Sequence, residues 1–502
     1  MHFHVKDTGK QFFCYKYYIF STGIGDTIVR VINMKEGFMS TKKKHTDTLT
    51  VRAKCGYGSA AVGDAMGYTF TGTYLLFFLT TVAGIKPAMA GTITVIAAVW
   101  DALINPVIGY ISDNFSSRFG RRRPFIFGSV PPLMVCIVLL FTSTDFSYGF
   151  KVIYYCFMSM AFWTSFTAFF VPFYALGAEY SDNYDERTTL RSYASFFNLI
   201  GTFFSMALPP IIVDYLNGLG LSVSEAWTST ALMIAVITGA SIIITAASSR
   251  KYDIAETSHA DTKAKLSFKG LVRDYASVLT LKPTKYILIA CLFALIAYGM
   301  IMGDFMYFLT YKIGFTGLQT SGAMFFRCIM QICLILPAIL LCRKTDNRTA
   351  LIIVFLIASV LMIAELFIGV HGLITLGIFI LFTCIATGIY WQIMPAIVYE
   401  LCVYDEYTTG KKREGSIVSV QGLVESIAQG IGAQILGIIL QLTGFDGNAP
   451  IQNDLTNSWI INCTTWVPVI FILIAAFALY KYPISRKTFN EMSEKINKKS
   501  EY

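Results

Sequence analysis

The chain has 502 residues, of which 55% are hydrophobic, 15% aromatic and only 14% charged, with a formal net charge of +9 and a mean hydropathy of +0.58. That balance excludes an ordinary soluble enzyme, because apolar stretches of about twenty residues recur from Gly56 to Tyr482, each long enough to cross a hydrocarbon layer about 30 Å thick. The runs are long and continuous, which disfavours a barrel of short alternating strands and points to an all-α integral membrane protein.

Residues 1–51 read as a polar N-terminal tail with no apolar core of spanning length and no recognisable signal peptide. Met39 is an alternative start, since the segment from there resembles a short basic leader ahead of a first membrane span. Spans are predicted at 56–84, 88–112, 124–143, 151–178, 191–213 and 229–248, and then at 286–311, 317–342, 349–370, 373–401, 415–442 and 459–482. This divides the chain into a six-helix half over 52–249, a linker over 250–285, a second six-helix half over 286–485 and a basic tail over 486–502.

The positive charge is no nucleic-acid signal, because it alternates with the spans. Arg118 to Arg123, Arg187, Arg191, Lys251 to Lys285, Arg343 to Arg348 and Lys411 to Arg413 all follow even-numbered helices, whereas Lys86, Lys151 and Lys312 stand almost alone on the other side. By the positive-inside bias both termini are expected in the cytoplasm, in a multi-pass protein of the cell membrane. The eleven cysteines include no CxxC pair, so they read as small buried residues rather than a metal site or disulfide frame. None of the five histidines falls in a predicted span, which disfavours a histidine proton relay.

Ionisable groups inside the spans are costly and mark ion or substrate paths. Asp101 and Asn105 are four residues apart on one helix face, and Pro106 cannot donate to the carbonyl of Ala102. A carboxylate, an amide oxygen and a released carbonyl suit a small hard cation, unless Asp101 is a structural acid with a basic partner. In the first helix Asp64, Tyr68 and Thr71 form one polar stripe, and in the fourth Trp163, Thr167, Phe170 and Tyr174 form an aromatic face with a hydroxyl. Such a face suits the CH surface of a sugar, though helix packing explains it equally. The later spans hold Asp304, Tyr307, Tyr311, Arg327, Gln331, Gln421, Glu425 and Gln429. Arg327 either grips a substrate carboxylate or pairs with Glu425 or Asp304, and Glu365 reads as a solvated rim residue. The loop charges Asp113, Arg118, Arg121, Asp185, Glu186, Arg187, Asp405 and Glu406 are read as gating latches, or as charges that only set topology.

An internal repeat is visible. EYSDNYDERTTLRS from Glu179 and ELCVYDEYTTGKKREGS from Glu400 lie about 220 residues apart and share a Glu, a Tyr-Asp-Glu and a Thr pair. Repeats of this kind enclose a site at the midplane and rock about it.

Together with KCGYG at Lys54–Gly58, WDALINP from Trp100 and its loop DNFSSRFGRRRP, these stretches make the chain resemble the glycoside-pentoside-hexuronide:cation symporters, the melibiose-permease-like branch of the major facilitator superfamily, over about residues 52–485. The resemblance implies a twelve-helix major-facilitator fold of two six-helix halves, and symport of a sugar, glycoside or hexuronide with Na⁺ or H⁺ by alternating access. It implies no cofactor beyond the coupling ion, with a carbohydrate and the lipid bilayer as partners. Laid over this chain, the family pattern has acids at Asp101 and at the position of Asn105, at Ala65 and at Phe170, and a lysine at Ser426. The ion chemistry and the galactoside contacts are therefore re-made here. The expected substrate-binding set is Asp64, Tyr68, Trp163, Thr167, Tyr174, Asp304, Arg327 and Glu425, with Asp101 and Asn105 at the cation. Alternatives are a permease for a non-sugar or lipid-like solute and a membrane sensor without turnover. An enzyme is not expected, because no Gly-rich phosphate loop, metal cluster or nucleophile–base pair appears.

Overall fold

The structure, a computed structural model, describes residues 48–115, 117, 119–181, 183–253, 275, 277–410 and 413–500. Most of the expected N-terminal tail, the start at Met39, Arg118, Lys411 and the greater part of the linker lie outside the described residues.

Among the described residues, twelve long helical segments follow one another. They are α1 (Val51–Thr81), α2 (Pro87–Asn114), α3 (Arg123–Gly128 continued by Val130–Leu140), α4 (Tyr148–Leu176), α5 (Tyr184–Gly218) and α6 (Val223–Ser248). Then come α7 (Lys282–Tyr307), α8 (Gly317–Cys333 and Ile335–Lys344), α9 (Asn347–Ile368), α10 (Leu373–Thr409), α11 (Glu414–Leu442) and α12 (Asp454–Thr464 and Trp466–Lys481), followed by a final helix α13 (Arg486–Ser500). Eleven of the helices are long and apolar enough to cross a membrane. The twelfth, α1, carries Lys54 and Asp64 among glycines and threonines, and it is sheltered by α5, α6 and α7.

Local chemistry sets the ends. Pro87, Pro124 and Pro283 open helices at positions whose N–H would be unpaired anyway. Capping boxes Ser222–Glu225 and Thr316–Gln319 start α6 and α8, and Gly410 closes α10 at φ +67°. Three spans are broken where proline removes a hydrogen bond to the carbonyl four residues back. Pro131 and Pro132 break α3 at Ser129, Pro337 breaks α8 at Leu334, and Pro468 breaks α12 at Thr465.

Two boundaries differ widely from the hydropathy reading. Helix α5 begins at Tyr184 rather than 191, and α10 runs on to Thr409 rather than 401. Both extensions are the charged repeat segments, which are helical but polar, so an apolar window stops short of them.

The helices before residue 253 and those after 275 form two halves. They meet where α2 packs on α11, α5 on α8 and α1 on α7. Small residues let backbones approach at the first contact: a Cβ on Gly437 would stand 2.3 Å from the Pro87 carbonyl oxygen, and one on Gly91 would stand 2.8 Å from the Gln434 Cα. Towards the end opposite the arginine-rich loops, Thr80 and Tyr307 lie 2.6 Å apart, and the Ala88 N–H donates to Gln441 Oε1 at 3.2 Å. On the α5–α8 side the Gly317 N–H donates to Asp214 at 3.1 Å.

Candidate functional site

Between the halves lies a cavity of about 330 Å³ whose wall draws on α1, α2, α4, α5, α7, α8, α10 and α11. Its wall includes Asp64, Tyr68, Asp101, Asn105, Trp163, Thr167, Tyr174 and Glu425, so eight residues singled out in the sequence converge on one space. A second pocket of about 130 Å³ shares Asn105, Phe170, Tyr174 and Ser426 with it and continues towards Asp113, Arg122 and Arg191, the end of the molecule that carries the basic loops.

The centre of the site is the Asp101 carboxylate, on α2. Oδ1 accepts hydrogen bonds from Thr167 Oγ1 of α4 at 2.9 Å and from Asn105 Nδ2 at 2.8 Å, while Oδ2 accepts from Ser426 Oγ of α11 at 3.1 Å. Helix α4 is therefore tied to α2 within one half, and α11 of the other half closes the ring. Asn105 turns its amide nitrogen, not its oxygen, to Asp101, so a cation ligand at this amide requires the side chain to flip by about 180°.

A second carboxylate, Asp64 of α1, accepts from Asn198 Nδ2 at 3.2 Å and from the Tyr174 hydroxyl at 3.4 Å. A third, Glu425 of α11, accepts from Gln421 Nε2 at 2.9 Å and from the Tyr390 hydroxyl at 3.4 Å. Rings fill the space between. Trp163 meets Tyr68 edge to face with centroids 5.7 Å apart, Phe166 stacks on Phe170 at 5.7 Å, and Tyr298 meets Trp391 at 5.7 Å. The Gln429 amide donates to the Tyr68 hydroxyl at 3.4 Å, a further bridge between the halves.

Two expected substrate residues stand apart from this wall. Arg327 is fully buried, with its guanidinium on the hydroxyls of Thr383 at 3.1 Å and Thr387 at 3.2 Å and over the Phe305 ring at 4.9 Å. It pairs with neither Glu425 nor Asp304. Asp304 is also fully buried, and both its oxygens lack a hydrogen-bond partner. From α7 the cavity wall takes Tyr298 and does not include Asp304. Glu365 is only 3% exposed, so it is no solvated rim residue.

At the basic end, several ion pairs among the described residues form within a half. Arg122 meets Asp113 at 2.6 Å, and Arg121 meets Glu179 at 2.6 Å. Arg413 Nε donates to Asp405 at 2.9 Å. Asp185 stands in the first turn of α5, where its N–H donates to Asn183. Its neighbour Glu186 takes Lys54 at 2.9 Å, and Arg187 donates to the Ser181 carbonyl. The sequence reading missed Asp253, whose carboxylate accepts the backbone N–H groups of Arg121, Arg122 and Arg123 at 2.9, 3.0 and 2.7 Å. The preceding Tyr252 is held by a stack on Tyr180 at 4.1 Å, and burial raises the Tyr180 hydroxyl above the usual phenol range. The repeat is also present in space. Glu179 contacts the loop after α2, and Glu400 accepts from Asn347 at the start of α9 at 2.8 Å.

The family described as MFS/sugar transport protein matches residues 56–486 of the chain. Among curated relatives, the isoprimeverose transporter of Lactiplantibacillus pentosus is 24% identical over 88% of this chain and 90% of its own length. The glucuronide carrier protein homolog of Escherichia coli is 24% identical over 89% of this chain and 96% of its own. Among solved structures, a bacterial homologue of the human lysosomal transporter Spinster superimposes with a TM-score of 0.63 at 14% identity, covering 88% of this chain and 97% of that one.

Proposed function

The chain belongs to the MFS/sugar transport protein family, which makes it a multi-pass membrane transporter rather than an enzyme, and from that premise we propose that it is a secondary active symporter that moves a sugar or glycoside together with Na⁺ or H⁺. The observation that carries the proposal is the Asp101 carboxylate at the wall of a cavity between two halves, hydrogen-bonded to Thr167 of its own half and to Ser426 of the other. Sugar-transporting and cation-coupled relatives support the substrate class and the coupling.

The basic loops belong on the cytoplasmic face by the positive-inside bias, in the plasma membrane, with both termini cytoplasmic. The conformation then faces inward. The contacts from Thr80–Tyr307 to Ala88–Gln441 seal the outer side, and the pocket towards Arg122 leads to the cytoplasm. The halves over 52–249 and 286–485 rock about the cavity, with the 250–285 linker between them.

In the cycle, a cation or proton arriving at Asp101 competes with the hydroxyl donors of Thr167 and Ser426. Occupation therefore changes the bond that joins the halves, so ion binding and access state are linked. A sugar packs its CH faces on Trp163 and Phe170 and presents hydroxyls to Asp64, Glu425 and Gln429. The membrane potential contributes about 2.3 kcal/mol per charge per 100 mV to accumulation.

The test is uptake into proteoliposomes across a glycoside panel with Na⁺ and pH gradients imposed separately. Accumulation of at least one glycoside above equilibrium under one gradient is expected. Equal, gradient-independent uptake of every member, or none, sinks the reading.

A further inference from the structure

One corner of the cavity wall, where α8 meets α10, holds two amides that the transport cycle does not use. Gly388, Trp391 and Gln392 stand at i, i+3 and i+4 on α10, hence on one helix face, and all three line the cavity. Gln331 of α8 lines it too, and a Cβ on Gly388 would stand 3.4 Å from Gln331 Cγ, in ordinary contact. The Gln331 stem therefore lies across α10 at Gly388, one turn from Gln392. Tyr298 of α7 closes the corner by meeting Trp391 edge to face at 5.7 Å.

Gln392 is only 9% exposed, and its Oε1 is buried with no hydrogen-bond partner among the described residues. Gln331 is half-buried beside it. A buried amide oxygen without a partner is costly, and the group that relieves it must bring a hydroxyl or an N–H. A primary amide both donates and accepts, which matches two adjacent hydroxyls of a sugar ring, and the neighbouring indole of Trp391 suits the CH face of the same ring. This corner belongs wholly to the second half, whereas the Trp163 and Phe170 surface belongs to α4 in the first.

We propose that this corner is a second carbohydrate subsite, in which Gln331 and Gln392 read the hydroxyls of a second ring stacked beside Trp391. The chain then prefers glycosides whose aglycone is itself a sugar over those with an alkyl aglycone. The inference rests on the reading of the chain as a sugar transporter and narrows it. An apolar aglycone covers Trp391 equally well, but it strips water from both amides and returns no hydrogen bond. A two-ring ligand places one ring on α4 of the first half and the other on α8 and α10 of the second.

The experiment is titration calorimetry on the full chain in nanodiscs. The probes are methyl and cyclohexyl glycosides of glucose, galactose and xylose, set against disaccharides that carry the same sugar in the same linkage at the non-reducing end. For at least one sugar the disaccharide is expected to bind about 10-fold or more tightly than the cyclohexyl glycoside, the order of penalty for leaving a buried polar group unpaired. Gln392→Met and Gln331→Met keep the side-chain length and remove the amide. Each is expected to narrow that gap to about 3-fold or less while the methyl glycoside Kd stays within about 2-fold of wild type. A cyclohexyl glycoside that binds wild type as tightly as every matched disaccharide overturns the subsite and leaves sugar transport standing. A variant that weakens the methyl glycoside as much as the disaccharide shows its amide to be structural and overturns the assignment of that residue. Failure of every glycoside to bind overturns both readings. The wild-type comparison decides alone should a variant not fold.

Discussion

The Thr80 hydroxyl lies 2.6 Å from the Tyr307 phenol oxygen, and the same phenol donates to the Leu76 carbonyl at 3.1 Å. One side chain of α7 thus ties down the end of α1 by two hydrogen bonds, both between halves and both buried. Net contributions of such bonds are about 1 kcal/mol each. Tyr307→Phe removes the pair without opening a cavity, so it shifts the access equilibrium outward by about 10-fold to 30-fold. Distances between spin labels at the outer tips of α1 and α7 measure the shift, and an unchanged distribution refutes this role.

Asp101→Asn keeps the shape of the side chain and removes the charge that a coupling ion needs. Gradient-driven accumulation is expected to fall to the passive level in proteoliposomes, while the protein inserts and elutes as wild type. Wild-type-like accumulation removes Asp101 from the coupling site.

Ser426→Ala deletes the donor to Asp101 Oδ2 from the opposite half. Removing a competitor for the carboxylate should tighten the apparent affinity for the coupling ion by roughly 3-fold to 10-fold, equivalent to about 1 kcal/mol. Initial uptake rates against ion concentration read this directly, and weaker ion dependence contradicts the assignment.

Asp253→Ala strands three backbone N–H groups at the entrance of α3, in a residue only 5% exposed. Charge-assisted bonds of this kind contribute about 1.5–3 kcal/mol each in favourable cases, and part is recovered by water, so a loss of about 2–4 kcal/mol is expected. Thermal unfolding in detergent measures it, with Asp253→Asn falling between wild type and alanine.

Arg327→Lys retains the charge but loses the planar fork that reaches Thr383 and Thr387 together. The expected outcome is lower thermal stability with an unchanged KM for transported substrate per folded molecule. A KM raised 10-fold or more at unchanged stability returns Arg327 to the binding site.

The fold was legible because its signals are local and repeated: apolar length, the alternation of basic loops and the Glu179 and Glu400 motifs. Helix breaks at Pro132, Pro337 and Pro468 were equally legible in principle, since each follows from one missing N–H, but length alone conceals them. The site was partly legible. Asp64, Asp101 and Glu425 stood out as acids where lipid was expected, whereas Asp304 and Arg327 carry the same signal and lie outside the cavity wall. Depth in the membrane can be read from a sequence; rotation about the helix axis cannot, because packing partners from distant segments fix it. Asn198, Tyr298 and Trp391 were missed for a related reason: polar-aromatic residues within apolar helices carry no mark that separates a cavity wall from a core.

The close approach of α2 and α11 at Gly91 and Gly437 has a mechanical consequence. Backbone there meets backbone with few protruding side chains to interlock, so the contact behaves as a bearing rather than a ratchet. Rolling one half over the other need not pull ridges out of grooves along this line. Resistance to motion is concentrated instead in the hydrogen bonds at either end of it, Ala88–Gln441 outside and Asp101–Ser426 at the centre. Turnover speed should therefore be tuned by a few polar side chains, and the smooth track between them can stay the same while the cargo changes.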